Sequence, residues 1–276
     1  MKKIIITSIG LLLLNTSAFA LDPFGPPVAT PKKDSSAIAG FEYLYGKMDL
    51  HSDSFSLITH PALPALPVSI EFSSANIKDV KTNKFYATLL SEIGDDNFDL
   101  FLRLGMSDAN PDRNANRDNF ASSIGNSDYD IALGGGIRKT FYQSADGKTK
   151  WGMLAQLSYA NLDFDNKTSI INGYDVSLSA KLKMLEIQIA AGPSYQVTDS
   201  LSIYGGPFVS FVKGDINFQG SIDGDSCDGS TKLKQQSEFG GFIGLSKELK
   251  KNTNLNAEFQ LTGDAQAFGF RLIHRF

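Results

Sequence analysis

The sequence predicts an all-β fold, an antiparallel up-and-down transmembrane β-barrel of about ten strands with long hairpins on one side. Three observations predict it. Apolar and polar residues alternate with a period of two over stretches of roughly ten residues, as in strands whose two faces meet different surroundings. The connections between these stretches are alternately tight and long. Aligned as an up-and-down ring, the outward aromatic residues collect at two heights, as they do at the two interfaces of a bilayer.

The chain opens with Lys2 and Lys3, a short apolar run from Ile4 to Leu14, and Ala18-Phe19-Ala20, a small-x-small tripeptide. This pattern predicts a secretory signal peptide over residues 1–20, too short to be a spanning helix. Leu21 rather than Cys follows the expected cut, which argues against lipoprotein processing. The Pro-rich stretch from Asp22 to Lys33 has no periodicity, so residues 21–36 read as a flexible periplasmic leader and 37–276 as the barrel.

Strand segments follow at 37–50, 83–93, 98–106, 128–142 and 149–171, then after Asn172-Gly173 and on through 185–197, and at 201–219, 237–248, 253–262 and 267–276. Phe98, Leu100, Leu102, Leu104 and Met106 form one face of the third; Asp99, Phe101, Arg103 and Gly105 form the other. From Leu185 to Val197 the odd positions are mostly apolar, while Glu186, Gln188, Ala190, Gly192, Ser194 and Gln196 are polar or small. Tight turns are read at Gly94-Asp95-Asp96, Ala145-Asp146-Gly147, Thr198-Asp199-Ser200 and Lys250-Lys251-Asn252, and long stretches at 51–82, 107–127 and 220–236. Eight strands is the fallback count, the hairpin around Gly263 to Gln266 being its weakest part.

The aromatic girdles come from one assignment. Phe98, Phe141, Trp151, Tyr195 and Phe276 fall near the short-turn side, and Tyr43, Tyr45, Phe85, Tyr129, Tyr159, Phe211 and Phe268 near the long-loop side. Beyond the second girdle the alternation inverts. Odd positions become Asn161, Asp163, Asp165 and Lys167 while even ones become Leu162, Phe164 and Ile170, and the segment after the Asn172-Gly173 hairpin signal mirrors this. Lys47 and Asp49 beside Met48 and Leu50, and Lys213, Asp215 and Asn217 beside Val212, Ile216 and Phe218, do likewise. A wall that passes from lipid to water must change its outer residues at that height, so the sheet is expected to continue above the membrane around an apolar interior.

Composition excludes other classes. The 276 residues carry 26 Lys plus Arg against 30 Asp plus Glu. Removing residues 1–20 takes two lysines, leaving 24 minus 30, or -6, without the basic excess of a nucleic-acid binder. One cysteine rules out an intrachain disulfide and a multi-cysteine metal site. After the signal no apolar run reaches the roughly 18 to 20 residues of a membrane helix. A secreted soluble β-sandwich is the competing fold, but it would need a partner to cover its aromatic face.

The signal, the amphipathic strands and the terminal segment Ala267-Phe268-Gly269-Phe270-Arg271-Leu272-Ile273-His274-Arg275-Phe276 together resemble the small outer-membrane β-barrel proteins, the OmpA-like and opacity-type group. The resemblance is architectural and covers nearly all of residues 21–276. It implies residence in the cell outer membrane, contact with lipid and lipopolysaccharide, and a C-terminal strand read by the barrel-assembly machinery, with Phe268, Phe270, Leu272 and Phe276 matching that signal.

The inward faces carry Glu42, Asp99, Arg103, Asp130, Arg138, Glu186, Glu258, Arg271 and Arg275. In an open pore these would set ion selectivity; in a ten-stranded barrel, side chains fill the narrow interior, and a paired, closed lumen is expected. The apolar interior above the membrane reads as a packed core rather than a vestibule for a hydrophobic ligand. Asp49, His51, Asp53 and His60 are the residues a rim hydrolase would use, His274 facing lipid; two histidines in a Pro-rich stretch read as exposed surface instead. Asp223 to Gly229 has calcium-like oxygen density without EF-hand spacing and reads as a solvated acidic loop, with Cys227 available for cross-linking or free. The Asp108 to Asn119 stretch reads as mobile surface, and Gly134-Gly135-Gly136 as relief of curvature or crowding inside the wall rather than a phosphate loop. No catalytic residue, metal or cofactor is expected. The function read from the sequence is a non-enzymatic surface protein, structural or adhesive, with at most a narrow passive pore and an extracellular ligand left unnamed; the alternatives are a porin-like or hydrophobic-solute channel and, after it, a protease or lipid A-modifying hydrolase.

Overall fold

The computed structural model describes residues 21–29, 38–52, 54–60, 68–72, 76–93, 97–112, 123–171, 173–235, 238–250 and 252–276. Residues 1–20, read from the sequence as a signal peptide, together with residues 30–37, Asp53 and the Gly94-Asp95-Asp96 turn, lie outside the described residues.

Among the described residues fourteen strands make one antiparallel sheet: β1 (Ile38–Ser52), β2 (Phe55–His60), β3 (Val68–Phe72), β4 (Asn76–Glu92), β5 (Phe98–Pro111), β6 (Ile124–Ser127), β7 (Asp130–Gln143), β8 (Thr149–Ile171), β9 (Tyr174–Thr198), β10 (Leu201–Ile222), β11 (Asp225–Lys234), β12 (Phe239–Lys250), β13 (Thr253–Thr262) and β14 (Ala265–Arg275). Ten of them close on themselves in the order β1-β4-β5-β7-β8-β9-β10-β12-β13-β14, with β14 returning to β1 from Ile38 opposite Arg275 to Met48 opposite Ala265. Closure removes every sheet edge at membrane height, the condition for a sheet to stand in hydrocarbon. The ten strands match those read from the alternation, and the C-terminal hairpin is part of the ring.

The outer face of the ring is a belt of exposed apolar residues, among them Leu89, Leu102, Leu104, Ile131, Leu157, Ile187, Ile203, Ile243 and Leu261. In water such a continuous belt would drive aggregation; in a bilayer it is the solvated surface, so the barrel spans a membrane. Above the belt, Phe85 of β4 lies 4.9 Å from Tyr43 of β1 and, across β5, 5.8 Å from Tyr129 beside β7, ring centre to ring centre, forming part of the upper girdle. Trp151, Phe141, Tyr195 and Phe276 are exposed toward the other rim.

β8, β9 and β10 are 23, 25 and 22 residues long, about twice what a bilayer needs, and carry the sheet beyond the belt. There Leu162, Phe164, Val176, Leu178, Leu182, Met184, Ile216 and Phe218 are buried, whereas the Asp163 carboxylate meets the Lys181 ammonium at 2.6 Å on the exposed side. Near the tip of β8 the inverted pattern departs from expectation, at Lys167 as well as Ile170. Ile170 is exposed, because a bulge between Phe164 and Lys167 adds a residue to β8 and exchanges its faces beyond that point.

The stretches read as long loops contain more pairing than the sequence suggested. β11 runs back along β10, joined by a two-residue turn, Asp223-Gly224, with both residues at positive φ. β2 pairs with β11, β3 with β2, and β6 with β8. Residues 108–111, read as mobile surface, belong to β5. Phe55, Leu57, Ile77, Val80, Ala109, Ile124 and Leu233 from these additions join the inward residues of β8 to β10 in one apolar core. Cys227 is in β11, 4% exposed, opposite Gly220 and Thr59, so it is not available for cross-linking, and burial pushes its thiol up.

Two measurements check this layout. Leu102→Arg places a charge in the belt and is expected to destabilise the folded barrel by about 2–4 kcal/mol, while Asn217→Arg, outward but above the belt, is expected to stay within about 0.5 kcal/mol; equal losses in urea unfolding from lipid vesicles would refute the assignment. The Cys227 thiol is expected to resist an aromatic disulfide reagent in the folded protein and to react at once in denaturant.

Candidate functional site: the luminal ion network and its inserted segment

Period two fixes which residues of the ring point inward, and antiparallel register fixes which of them meet. Glu42 of β1 stands opposite Arg271 of β14, and the Arg271 Nε lies 2.7 Å from the Glu42 Oε1. The other Glu42 oxygen is 3.1 Å from the Arg103 Nε of β5, and the Thr88 hydroxyl donates to Oε1 at 2.6 Å. Lys84 of β4 reaches Glu186 of β9 at 3.3 Å. All these side chains are buried.

The piece that joins the two halves comes from outside the sheet. Residues 21–29, expected as a flexible leader, lie in the lumen, with Leu21, Asp22, Phe24 and Ala29 buried. This corrects the leader reading for these nine residues, whose lack of periodicity reflects a path that belongs to no strand. The Asp22 carboxylate is 2.5 Å from the Lys84 Nζ and 3.7 Å from the Arg103 Nη1. The result is a linear run of alternating charge, Glu186, Lys84, Asp22, Arg103, Glu42, Arg271, in which each member has an opposite charge beside it.

An extended segment inside a barrel must find partners for its backbone without joining the sheet. Pro23, Pro26 and Pro27 have no N–H to satisfy. Several of the remaining groups bond to wall side chains: Phe24 N–H donates to the Glu258 Oε1 at 2.8 Å and Ala29 N–H to the Thr140 hydroxyl at 2.9 Å. The Asp22 carbonyl accepts from the Gln156 amide at 2.6 Å and from the Gln260 amide at 3.3 Å, and the Pro23 carbonyl accepts from Arg103 at 3.0 Å. Phe24 packs edge-on against Phe208 and Phe242, at 5.5 and 5.1 Å. Gly269 leaves room for Pro23: a Cβ there would lie 2.7 Å from the proline ring.

Phe101, fully buried, has three guanidinium groups over its ring, those of Arg103 and Arg138 at 5.0 Å and Arg271 at 5.7 Å from the centroid. The ring spaces three like charges while offering each its negative face. Space for it comes from the glycine run, since a Cβ on Gly136 would lie 2.7 Å from the Phe101 ring and 2.8 Å from the Gln156 Cβ. That is the crowding expected of these glycines.

Of the inward charges named from sequence, Glu42, Asp99, Arg103, Arg138, Glu186, Glu258 and Arg271 are buried in the lumen, and Arg275 is buried at the short-turn mouth, 2.6 Å from Glu92. Asp130 is elsewhere: half-buried at the start of β7, it accepts the Asp163 N–H at 2.8 Å. Sequence reading missed Lys84 and Asp22. The alternation that turns Phe85 outward was the signal for Lys84; Asp22 had no comparable one.

Of the rim residues, the two histidines stand on different strands. His60 lies 2.6 Å from Asp228, both exposed, on the β2–β11 ladder; His51 is on β1, opposite Lys234. The Asp223 carboxylate accepts the Asp175 N–H at 2.7 Å, which ties the two hairpin tips together. Among the described residues no group of three or more His, Cys, Asp or Glu is placed to hold a metal ion. Phe268, Phe270 and Leu272 are exposed on the outer face of β14, and Phe276 is exposed just beyond its end.

No family model and no curated relative matches the chain. Among solved structures it is similar to the outer membrane protease OmpT of Escherichia coli (10% identity, 90% of this chain and 96% of that one, TM-score 0.44). It is similar also to the COG4313 outer membrane channel of Pseudomonas putida F1 (12%, 93% and 100%, 0.45) and to Ail, the attachment invasion locus protein of Yersinia pestis (13%, 88% and 100%, 0.30). At these scores the likeness carries nothing about activity.

Lys84→Met removes the cation shared by Asp22 and Glu186. Breaking a buried pair from one side leaves charge uncompensated, so the expected cost is about 3–5 kcal/mol in urea unfolding. A change below about 1 kcal/mol would mean that the network is hydrated rather than sealed.

Proposed function

We propose that this chain is an integral outer-membrane barrel without enzymatic activity, which holds a rigid, paired extension of its hairpins above the cell surface in a structural or adhesive role and keeps its lumen closed. The observation that carries this reading is the double filling of the interior. Residues 21–29 occupy the lumen at membrane height. Above them the same cylinder is packed with Leu162, Leu178, Ile216, Phe218 and their neighbours. A solute channel would need to displace both, and they differ in chemistry: one is ionic and polar, the other a side-chain core. The exposed His60 ring meets Asp228, while the neighbouring Ser226 hydroxyl donates to the His60 backbone carbonyl at 3.3 Å rather than to the ring, which weighs against a rim hydrolase.

In this reading the short-turn mouth faces the periplasm, lipid and lipopolysaccharide contact the belt, and the outward Phe268, Phe270 and Leu272 of β14, with Phe276 just beyond its end, present the signal for the barrel-assembly machinery. Planar-bilayer recording of the purified protein tests the closed state. The expected trace has no steady single-channel conductance; steady, reproducible conductance would overturn the reading in favour of a channel.

A further inference from the structure

The short-turn mouth of the barrel holds a cavity of about 280 Å³, roofed by Pro26, Val28 and Ala29 of the inserted segment. Arg138 reaches it from the wall. Although Arg138 is only 2% exposed, its Nε and Nη2 have no hydrogen-bond partner. Its charged neighbours in the lumen are two carboxylates, Asp99, directly opposite on β5, and Glu42, and two further guanidinium groups, those of Arg271 and Arg103. The opposite wall contributes Asn256, also buried, whose side-chain oxygen is likewise unpartnered. Around the opening stand Lys148, Lys150 and Arg275 against a single carboxylate, Glu248, and Arg275 is already paired with Glu92.

Buried donors left without acceptors are costly, and a guanidinium more so than an amide. A small oxyanion would supply acceptor oxygens for two nitrogens of Arg138 in the planar geometry that carboxylate and phosphate share. A hydroxyl on the same molecule would donate to the Asn256 oxygen. The lysines at the opening add attraction without being buried themselves. We infer that the short-turn mouth is a binding site for a small hydroxylated oxyanion, a hydroxycarboxylate or a hydrogen phosphate, held by Arg138 and Asn256 beneath the inserted segment. The site depends on the cavity alone and not on whether the barrel conducts.

The test is calorimetric titration of the detergent-solubilised full barrel with inorganic phosphate and, separately, with citrate, at fixed ionic strength and with chloride as control. Saturable binding is expected for at least one, and the stronger arm names the source. Arg138→Gln is expected to weaken it at least about tenfold, since a charge-assisted bond is lost. Should that variant fail to fold, Lys148→Ala with Lys150→Ala, which alters only the opening, is expected to weaken binding several-fold and to flatten its salt dependence. Heats indistinguishable from chloride in both arms, or binding unaltered in the lysine variant and in any folded Arg138 variant, would overturn the site.

Discussion

Pairing of charge inside a wall that lipid surrounds is the constraint on which the rest of this structure depends. At membrane height the lumen holds Glu42, Lys84, Arg103, Glu186 and Arg271, each taken out of water. An isolated buried charge is untenable, and pairs formed only among wall residues would leave Lys84 with Glu186 and Arg103 with Glu42 as separate islands. Asp22 joins them. Because it arrives on a segment outside the sheet, its carboxylate meets both Lys84 and Arg103 inside the lumen. The inserted segment is therefore less a stopper laid over a finished barrel than part of how the barrel's interior is neutralised.

The same cylinder then changes chemistry with height. Below the upper girdle the wall is apolar outside and charged inside; above it the wall is charged outside and apolar inside. Each half obeys the ordinary rule that the face turned to the larger apolar phase is apolar, but that phase moves from the surrounding lipid to the interior. The inward residues of β8, β9 and β10 cannot make such an interior alone, since one side of the upper cylinder would stand open. β11, β2 and β6 supply residues toward the rest. Pairing in the extension is thus a consequence of the inversion: three strands twice the membrane's thickness expose an apolar face that only more chain can cover.

How much of this the sequence makes legible follows from what was periodic. The ten ring strands could be read because each residue of the wall faces one of two phases, which writes period two into long segments such as Leu185 to Val197. The height of the inversion was legible for the same reason, until the bulge in β8 broke the register and turned Ile170 outward. β2, β3 and β6 are six, five and four residues long, too short to set a pattern. Asp223-Gly224 did announce a tight hairpin, but its acidic neighbours masked it as a loop. Asp22 could not be found at all: its partners Lys84 and Arg103 are far off in sequence, and only the closed ring brings them to the axis.

That Asp22 has to be delivered by a segment without secondary structure explains the composition of that segment. A helix of nine residues would need a wider lumen, and a strand would need an edge that a closed ring does not offer. What remains is an extended chain whose backbone donors are few and met by side chains. Three prolines among nine residues remove a third of those donors; Gln156, Gln260, Glu258 and Thr140 meet several of the groups that are left. Gly25 makes the bend at positive φ, and Gly269 gives Pro23 clearance. A Pro- and Gly-rich composition, which in a free leader would signify flexibility, here meets the requirements of a peptide that must lie still where there is neither water nor a neighbouring strand.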